Sequence, residues 1–234
     1  MSDTFLRRTI VGIGGLSSED AELRLLEDYV LGLTSRERPR VLFVPTAVAD
    51  DADETLWAYS RLGGRAEVSH MTFFPWPPSG LRELALQQDA IYVSGGNTAN
   101  ALAIWRTHGF DEILREAWES GVVLAGWSAG MLCWFEAAVT DSFGPQLQGM
   151  RDGLGFLAGS ACPHYDGESE RRPAYSKLVA EGFPPGLAAD DGVALRFDGT
   201  ELAEVVTARA GGGAYRVSPE GEEAIEARPL LSGP

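Results

Sequence analysis

Cysteine is scarce in this sequence, which contains only Cys133 and Cys162 among its 234 residues. Two cysteines are too few for the disulfide framework of a small secreted protein, and each is more typical of a small core residue. Histidines, cysteines and acidic residues nowhere share the spacing of metal ligands. The sequence therefore predicts no disulfide, no metal site and no cofactor.

Basic residues and long apolar segments are also few. The chain has 19 Lys and Arg against 34 Asp and Glu, and its formal net charge of −15 repels nucleic-acid phosphates and anionic membranes. No apolar segment is long enough to span a bilayer, and residues 1–8 lack the apolar core of a signal peptide. We therefore expect a cytoplasmic protein that binds neither nucleic acid nor membranes.

No linker, internal repeat or low-complexity segment divides the chain, so we expect one domain over residues 1–234. Five apolar segments in the first 130 residues alternate with segments of helical periodicity. This order is typical of an α/β fold with a mostly parallel sheet covered by helices on both faces. Residues 141–159 are predicted to be irregular, 168–182 to form a helix, and 193–217 to form strands joined by turns.

The sequence Gly126-Trp127-Ser128-Ala129-Gly130 follows the fifth apolar segment. The pattern Gly-x-Ser-x-Gly between a strand and a helix is typical of a nucleophile elbow, in which a strained turn exposes the serine hydroxyl. Residues 129–135 have the apolar character of the helix that should follow. Ser128 is therefore a candidate nucleophile; the alternative is a simple tight turn.

A serine nucleophile needs a base, and the chain offers only three histidines. His164 lies in a proline-restrained loop with polar neighbours, downstream of the serine, and is the favoured base. His70 falls in a predicted strand, and His108 precedes Gly109 at a predicted helix end, where a histidine often only caps carbonyls.

An acidic residue should orient that base, and five candidates follow Ser128 in the chain. Asp166 is only two residues from His164, where an aspartate more often forms a turn. Glu136 falls on the predicted elbow helix; the alternative to an orienting role is that its side chain simply faces solvent. Asp190 and Asp191 precede a predicted strand, at the kind of element end where site residues collect. The residues alone leave these candidates and Asp141 open.

The developing oxyanion needs N–H donors. A nucleophile elbow offers the N–H of the residue after the serine, here Ala129, and a second donor from another strand-end loop. Gly95 and Gly96 are suited to that second position because glycine leaves its N–H uncovered. Their neighbour Asn97 and the elbow residue Trp127 are candidates for substrate binding.

These motifs together resemble the peptidase E family of aspartyl dipeptidases, which is related to cyanophycinase. The resemblance rests on four ordered segments that cover most of the chain: Tyr92-Val-Ser-Gly-Gly-Asn-Thr98, Gly126-Trp-Ser-Ala-Gly130, Pro163-His164, and Gly186-Leu with Asp190-Asp191-Gly192. It implies a fold like that of class I glutamine amidotransferases, with serine in place of their cysteine. It also implies a serine peptidase that acts through an acyl-enzyme.

The resemblance assigns roles by position. Ser128 matches the family nucleophile, His164 its base, and Gly95 or Gly96 its oxyanion loop. The third residue is usually a glutamate before a glycine, and alignment on Gly192 places Asp191 there, ahead of Asp190 and of Asp141. An aspartate moves the orienting oxygen by one methylene, so the backbone must compensate.

The resemblance implies a short peptide substrate, with an Asp-X dipeptide as one candidate. Selection of an amino-terminal aspartate needs a cation, for which Arg151, Arg171 and Arg172 are candidates, although each is also typical of a solvated surface charge. The alternatives are an esterase or amidase with the same residues, or a binding protein that keeps the fold without turnover. We expect a monomer or homodimer.

Overall fold

The computed structural model describes residues 7–231, which form two β-sheets, seven α-helices and one short 3-10 helix (Thr46–Val48). Residues 1–6, where the sequence predicts no signal peptide, lie outside the described residues. The strands are β1 (Thr9–Ile13), β2 (Arg40–Val44), β3 (Glu67–His70), β4 (Ala90–Val93), β5 (Val123–Trp127), β6 (Phe135–Thr140), β7 (Gln148–Met150), β8 (Leu157–Cys162), β9 (Gly186–Ala189), β10 (Val193–Asp198), β11 (Glu201–Thr207), β12 (Ala214–Ser218), β13 (Gly221–Ile225) and β14 (Arg228–Pro229). The helices are α1 (Asp20–Gly32), α2 (Ala52–Leu62), α3 (Leu81–Leu86), α4 (Thr98–His108), α5 (Phe110–Glu119), α6 (Ala129–Leu132) and α7 (Arg171–Ala180).

The larger sheet has eight strands in the order β14-β11-β10-β1-β5-β4-β2-β3. Strands β1, β5, β4, β2 and β3 are parallel to one another, whereas β10 joins β1 antiparallel. The parallel strands β1, β4 and β5 are buried along their whole length, which is why they are continuous apolar segments in the sequence. Their carboxyl ends lie at one edge, where sites collect in such sheets.

Helices cover both faces of this sheet. Successive residues of β1 point to opposite faces, so Ile10 and Val11 belong to different apolar clusters. Helices α1 and α2 pack on the face of Val11, and α3, α4 and α5 pack on the face of Ile10. The predicted α/β architecture is therefore confirmed. No helix within residues 7–231 is long and apolar enough to cross a membrane.

The second sheet has six strands in the order β13-β12-β9-β8-β6-β7. One of its faces joins the core around α4 and α5, and α7 packs on the other through Tyr175 and Val179. The prediction that 141–159 is irregular is wrong in part, because β7 and the start of β8 lie there. Both strands depend on pairing with β6, such as that of Ala138 with Met150, which local propensity does not reveal.

Glu27 on α1 is buried between α1 and α2. One oxygen of its carboxylate accepts a hydrogen bond from Nε of Arg61 at 2.7 Å, and the other oxygen pairs with Arg65. The Glu27 side chain is only 1% exposed, whereas that of Asp28, the other partner of Arg65, is 47% exposed. A buried carboxylate that holds two guanidinium groups ties α1 to α2, and removal of one member leaves uncompensated charge.

Glu27→Ala should lower the free energy of unfolding by about 3 kcal/mol, because Arg61 and Arg65 then lose their buried partner. Asp28→Ala is the matched control, and its half-exposed pair should cost less than about 1 kcal/mol. Urea unfolding followed by circular dichroism measures both. Equal losses in the two variants would contradict the account.

Candidate active site

Ser128 occupies the turn between β5 and α6 in a strained conformation, with φ of 52° and ψ of −109°. Residues other than glycine rarely adopt such a φ. The flanking glycines allow the turn: a Cβ on Gly126 would lie 2.7 Å from the carbonyl oxygen of Gly130, and one on Gly130 would lie 3.1 Å from the Cβ of Val93. The predicted nucleophile elbow is therefore present.

The elbow helix is shorter than predicted. Helix α6 ends at Leu132, and the chain enters strand β6 at Phe135. Glu136 therefore lies on a strand and not on the elbow helix, which corrects that prediction. Pairing of β6 with β7 and β8 overrides the helical character of the local sequence. The Glu136 side chain is exposed and accepts the N–H of Gly159 at 2.9 Å.

Ser128 and His164 are anchored at the same strand end. The N–H of Ser128 donates to the carbonyl of Ile13 at 3.0 Å, and the N–H of His164 donates to the next carbonyl, that of Gly14, at 3.1 Å. Ile13 is the last residue of β1. Two residues 36 positions apart in numbering are thus held on consecutive peptide groups at the carboxyl edge of the sheet.

His164 contacts Asp191 through its ring. The distance from His164 Nδ1 to Asp191 Oδ1 is 2.7 Å, and both side chains are partly exposed. Gly15 makes room for the pair, because a Cβ there would lie 2.5 Å from His164 Nδ1. Gly167 packs against the other carboxylate oxygen of Asp191, where a Cβ would also clash. His164 itself has a positive φ of 51°, a second strained residue at this edge.

Asp190 faces away from His164 and has a different environment. Its Oδ2 accepts the N–H of Gly213 at 2.8 Å, and its own N–H donates to the carbonyl of Gly213 at 3.0 Å. The residue is 2% exposed, and its Oδ1 has no hydrogen-bond partner within residues 7–231. Burial raises the pKa of Asp190 above its ordinary value. Asp190 thus joins β9 to the glycine turn before β12, and Asp191 alone of the pair contacts the imidazole.

The raised pKa of Asp190 makes its contribution to stability depend on pH. Because the folded pKa exceeds the unfolded value of about 4, this contribution is complete below pH about 4 and is lost as pH rises through the folded pKa. Asp190→Asn has no carboxyl group to titrate and does not lose this contribution. The difference in free energy of unfolding, variant minus wild type, should therefore increase from pH 4 to 7. Chemical unfolding at each pH measures it, and a difference independent of pH would contradict the assignment.

The remaining acidic candidates lie elsewhere. Asp141 is exposed at the end of β6, where its carbonyl accepts the N–H of Gly144 at 3.1 Å. Asp166 does not contact the imidazole but accepts the N–H of Asp191 at 3.1 Å. Its turn position matches the sequence prediction, although its partner is a distant residue.

The other two histidines have their contacts in other parts of the structure. His70 is exposed on β3 at the edge of the sheet, with its Nδ1 3.0 Å from the hydroxyl of Tyr59. His108 is exposed at the last position of α4, followed by Gly109 in the left-handed conformation. This is the helix-end position that the sequence predicts for His108.

The loop after β4 approaches Ser128. A Cβ on Gly95 would lie 3.5 Å from the Cβ of Ser128 and 2.7 Å from Nε1 of Trp127. Gly96 has a φ of 122°, and a Cβ there would meet the carbonyl carbon of Ala47 at 2.6 Å. In the part of the chain that the structure describes, the N–H groups of Gly95, Gly96 and Ala129 donate to no backbone carbonyl. Of these three residues, Ala129 follows Ser128 in the chain and Gly95 lies against its side chain.

Asn97 and Trp127 have structural contacts of their own. Asn97 caps α4 by accepting the N–H of Asn100 at 2.9 Å, and its Nδ2 donates to the carbonyl of Ser142 at 2.9 Å. Trp127 is 5% exposed and packs against Phe43. Their candidacy for substrate binding remains a prediction.

The sequence model of peptidase family S51 matches residues 10–205 of the chain. The chain belongs to this family. The uncharacterized peptidase YgaJ of Bacillus subtilis (strain 168) is 47% identical over 218 residues, which cover 92% of this chain and 94% of that protein. Peptidase E of Shewanella denitrificans is 25% identical over 171 residues, covering 62% of this chain and 72% of that protein. The predicted resemblance to the peptidase E family is confirmed.

Among solved structures, a peptidase from an acI-B1 Actinobacterium is similar to this S51 family member in fold. The TM-score is 0.69 at 19% sequence identity, over 95% of this chain and 96% of that chain. An identity this low supports the fold alone. Family membership supports a peptidase, and Ser128, His164 and Asp191 all lie within the matched residues.

Three residues at this edge of the S51 peptidase were not predicted from sequence. Gly15 is the second of two glycines after β1, a segment in which the sequence predicts no site residue. Gly167 and Arg209 carry no local signal, because their contacts with Asp191 join segments far apart in the chain. Glycine directly after a buried strand was the one available sign, as such glycines often permit close backbone approach.

Proposed function

We propose that this S51 family protein is a serine peptidase that cleaves short peptides through an acyl-enzyme, with Ser128, His164 and Asp191 as the catalytic residues. The observation that carries the proposal is the 2.7 Å contact of His164 with Asp191 at the strand end that also holds the strained Ser128. This order of nucleophile, imidazole and carboxylate is recognised by geometry and not by position in the chain.

The chemistry follows from which ring nitrogen is engaged. Because Nδ1 of His164 faces Asp191, Nε2 is the nitrogen that removes the proton from the Ser128 hydroxyl as it attacks the peptide carbonyl. The same nitrogen then returns the proton to the leaving amine, and an acyl-enzyme remains on Ser128. Water, deprotonated by His164, then attacks the acyl carbonyl; the bond to Ser128 Oγ breaks, His164 returns the proton to that oxygen, and the second product leaves as a carboxylic acid. Asp191 fixes the ring orientation and stabilises the imidazolium.

The oxyanion of each tetrahedral intermediate would accept hydrogen bonds from Ala129 N–H and from the Gly95-Gly96 loop. The support is that these amides lack backbone acceptors within residues 7–231 and that Gly95 lies against Ser128. Loss of one such donor in serine peptidases costs about 10²–10³ in kcat. Trp127, whose Nε1 lies beside Gly95, and Asn97 would contact the substrate next to this loop.

For substrate selection, the cations considered from the sequence all have partners in residues 7–231. Arg151 donates to the carbonyl of Gly182 at 2.8 Å. Arg171 is 3% exposed and donates to Glu168 and to the carbonyl of Val139, so it is not the surface charge that its sequence position indicates. Arg172 stacks over the adjacent rings of Tyr165 and Tyr215. We therefore propose cleavage of short peptides without a requirement for amino-terminal aspartate.

Hydrolysis of the dipeptides Ala-Leu and Asp-Leu by three variants tests the proposal. Ser128→Ala and His164→Ala should lower kcat by at least about 10³-fold, and Asp191→Asn should lower it strongly because the amide favours the wrong ring tautomer. Asp-Leu should not exceed Ala-Leu in kcat/KM by more than about tenfold. Product amino acids are quantified by chromatography.

Asp141→Asn is the matched control, since Asp141 is an exposed aspartate at another strand end and its substitution should leave turnover unchanged. Circular dichroism verifies the folding of every variant. Near-normal turnover in Asp191→Asn would contradict the assignment of Asp191, and normal turnover in Ser128→Ala would overturn the serine mechanism.

A further inference from the structure

Asp191 is held by its backbone as well as by its side chain. Its N–H donates to Oδ1 of Asp166 at 3.1 Å, and its carbonyl accepts Nε of Arg209 at 2.9 Å. Arg209 Nη2 pairs with the other oxygen of Asp166. Three side-chain and backbone contacts thus form a closed ring around the peptide groups on either side of the Asp191 α-carbon.

This ring joins the loop that carries His164 to the turn that carries Asp191. Asp166 lies two residues after His164 in the same loop, and Asp191 lies in the turn between β9 and β10. The N–H of Asp191 bonded to Asp166 therefore links the loop of the imidazole to the turn of the carboxylate. Arg209, just after β11, contacts both Asp166 and Asp191. It also packs over Gly192, where an added Cβ would lie 3.2 Å from the Cβ of Arg209.

We propose that Asp166 and Arg209 are positioning residues for the candidate triad, which clamp the Asp191 backbone so that its short side chain reaches His164. An aspartate has one fewer methylene than a glutamate, so the position of its carboxylate follows the backbone closely. Arg209 donates from two different nitrogens, Nε to the Asp191 carbonyl and Nη2 to Asp166, and the single nitrogen of an ammonium cannot occupy both positions. The inference rests on the proposed function for its catalytic consequence.

Exposure separates a positioning role from a merely structural one. The side chains of Arg209 and Asp166 are 31% and 33% exposed, and ion pairs this open to solvent add little to stability. If the ring only stabilised the fold, its loss would have a small effect on stability, on turnover and on the environment of the His164 ring. A positioning role predicts that stability changes little while turnover and the environment of the His164 ring change clearly.

The test uses Arg209→Lys and Asp166→Asn in the full chain, with Arg82→Lys as the matched control. Arg82 is exposed and pairs with Glu116 on another face. We expect each ring variant to lower kcat about 10–100-fold with little change in KM, since misplacement of a catalytic group has this order of effect. The double variant should be no worse than either single one, because both break the same ring.

The second readout is independent of turnover. The chain has three histidines, so protein labelled with ¹⁵N-histidine gives a simple spectrum in which the Hδ1 proton of His164 reports its bond to Asp191. This resonance should shift or exchange faster with water in both ring variants and should stay unchanged in Arg82→Lys. Circular dichroism verifies folding, and either ring variant suffices if the other fails to fold.

The outcomes distinguish the two proposals. A wild-type protein that cleaves no peptide but shows the His164 change in the ring variants supports the clamp and rejects the proposed function. An active wild type whose ring variants keep the wild-type His164 resonance overturns the clamp, whatever their turnover. A loss of thermal stability with an unchanged resonance also overturns it, since that result assigns the ring a structural role only.

Discussion

The hydrogen bond between His164 and Asp191 depends on three segments that meet at the carboxyl end of β1: the glycines after that strand, the loop of His164 and the turn of Asp191. The carbonyl of Gly14 accepts the N–H of His164. The carbonyl of Gly15 accepts the N–H of Gly192, the residue after Asp191, at 2.9 Å. The end of one buried strand therefore fixes the backbone on both sides of the contact. Glycine at position 15 is required by this approach, because any side chain would displace the imidazole and the carboxylate.

The same strand end also fixes the serine, so the larger sheet acts as the rigid base of the candidate site. The parallel strands supply the elbow and the glycine loop, whereas the second sheet supplies the His164 loop and, through β9, the acidic turn. Site residues placed on the ends of packed strands are held more precisely than residues on free loops. Strain at Ser128 and His164 is maintained by this packing.

Local patterns predicted much of this arrangement. The continuous apolar strands predicted the parallel sheet, and the Gly-x-Ser-x-Gly pattern predicted the elbow at Ser128. The second sheet was missed in part because β7 has only three residues and both β7 and β8 depend on pairing between distant residues. The sequence left Asp190 and Asp191 as alternatives for the same reason: adjacent residues point to opposite sides, and which side faces His164 depends on the register with Gly213 and Gly15.

The central claim is that Ser128 is an activated nucleophile, and a fluorophosphonate probe tests it most directly. The folded wild-type protein should be labelled once, on the peptide that contains Ser128, as shown by mass spectrometry after proteolysis. The His164→Ala variant should react far more slowly, because the serine then lacks its base. A folded wild-type protein that takes up no label, or takes it up on another serine, would contradict the account.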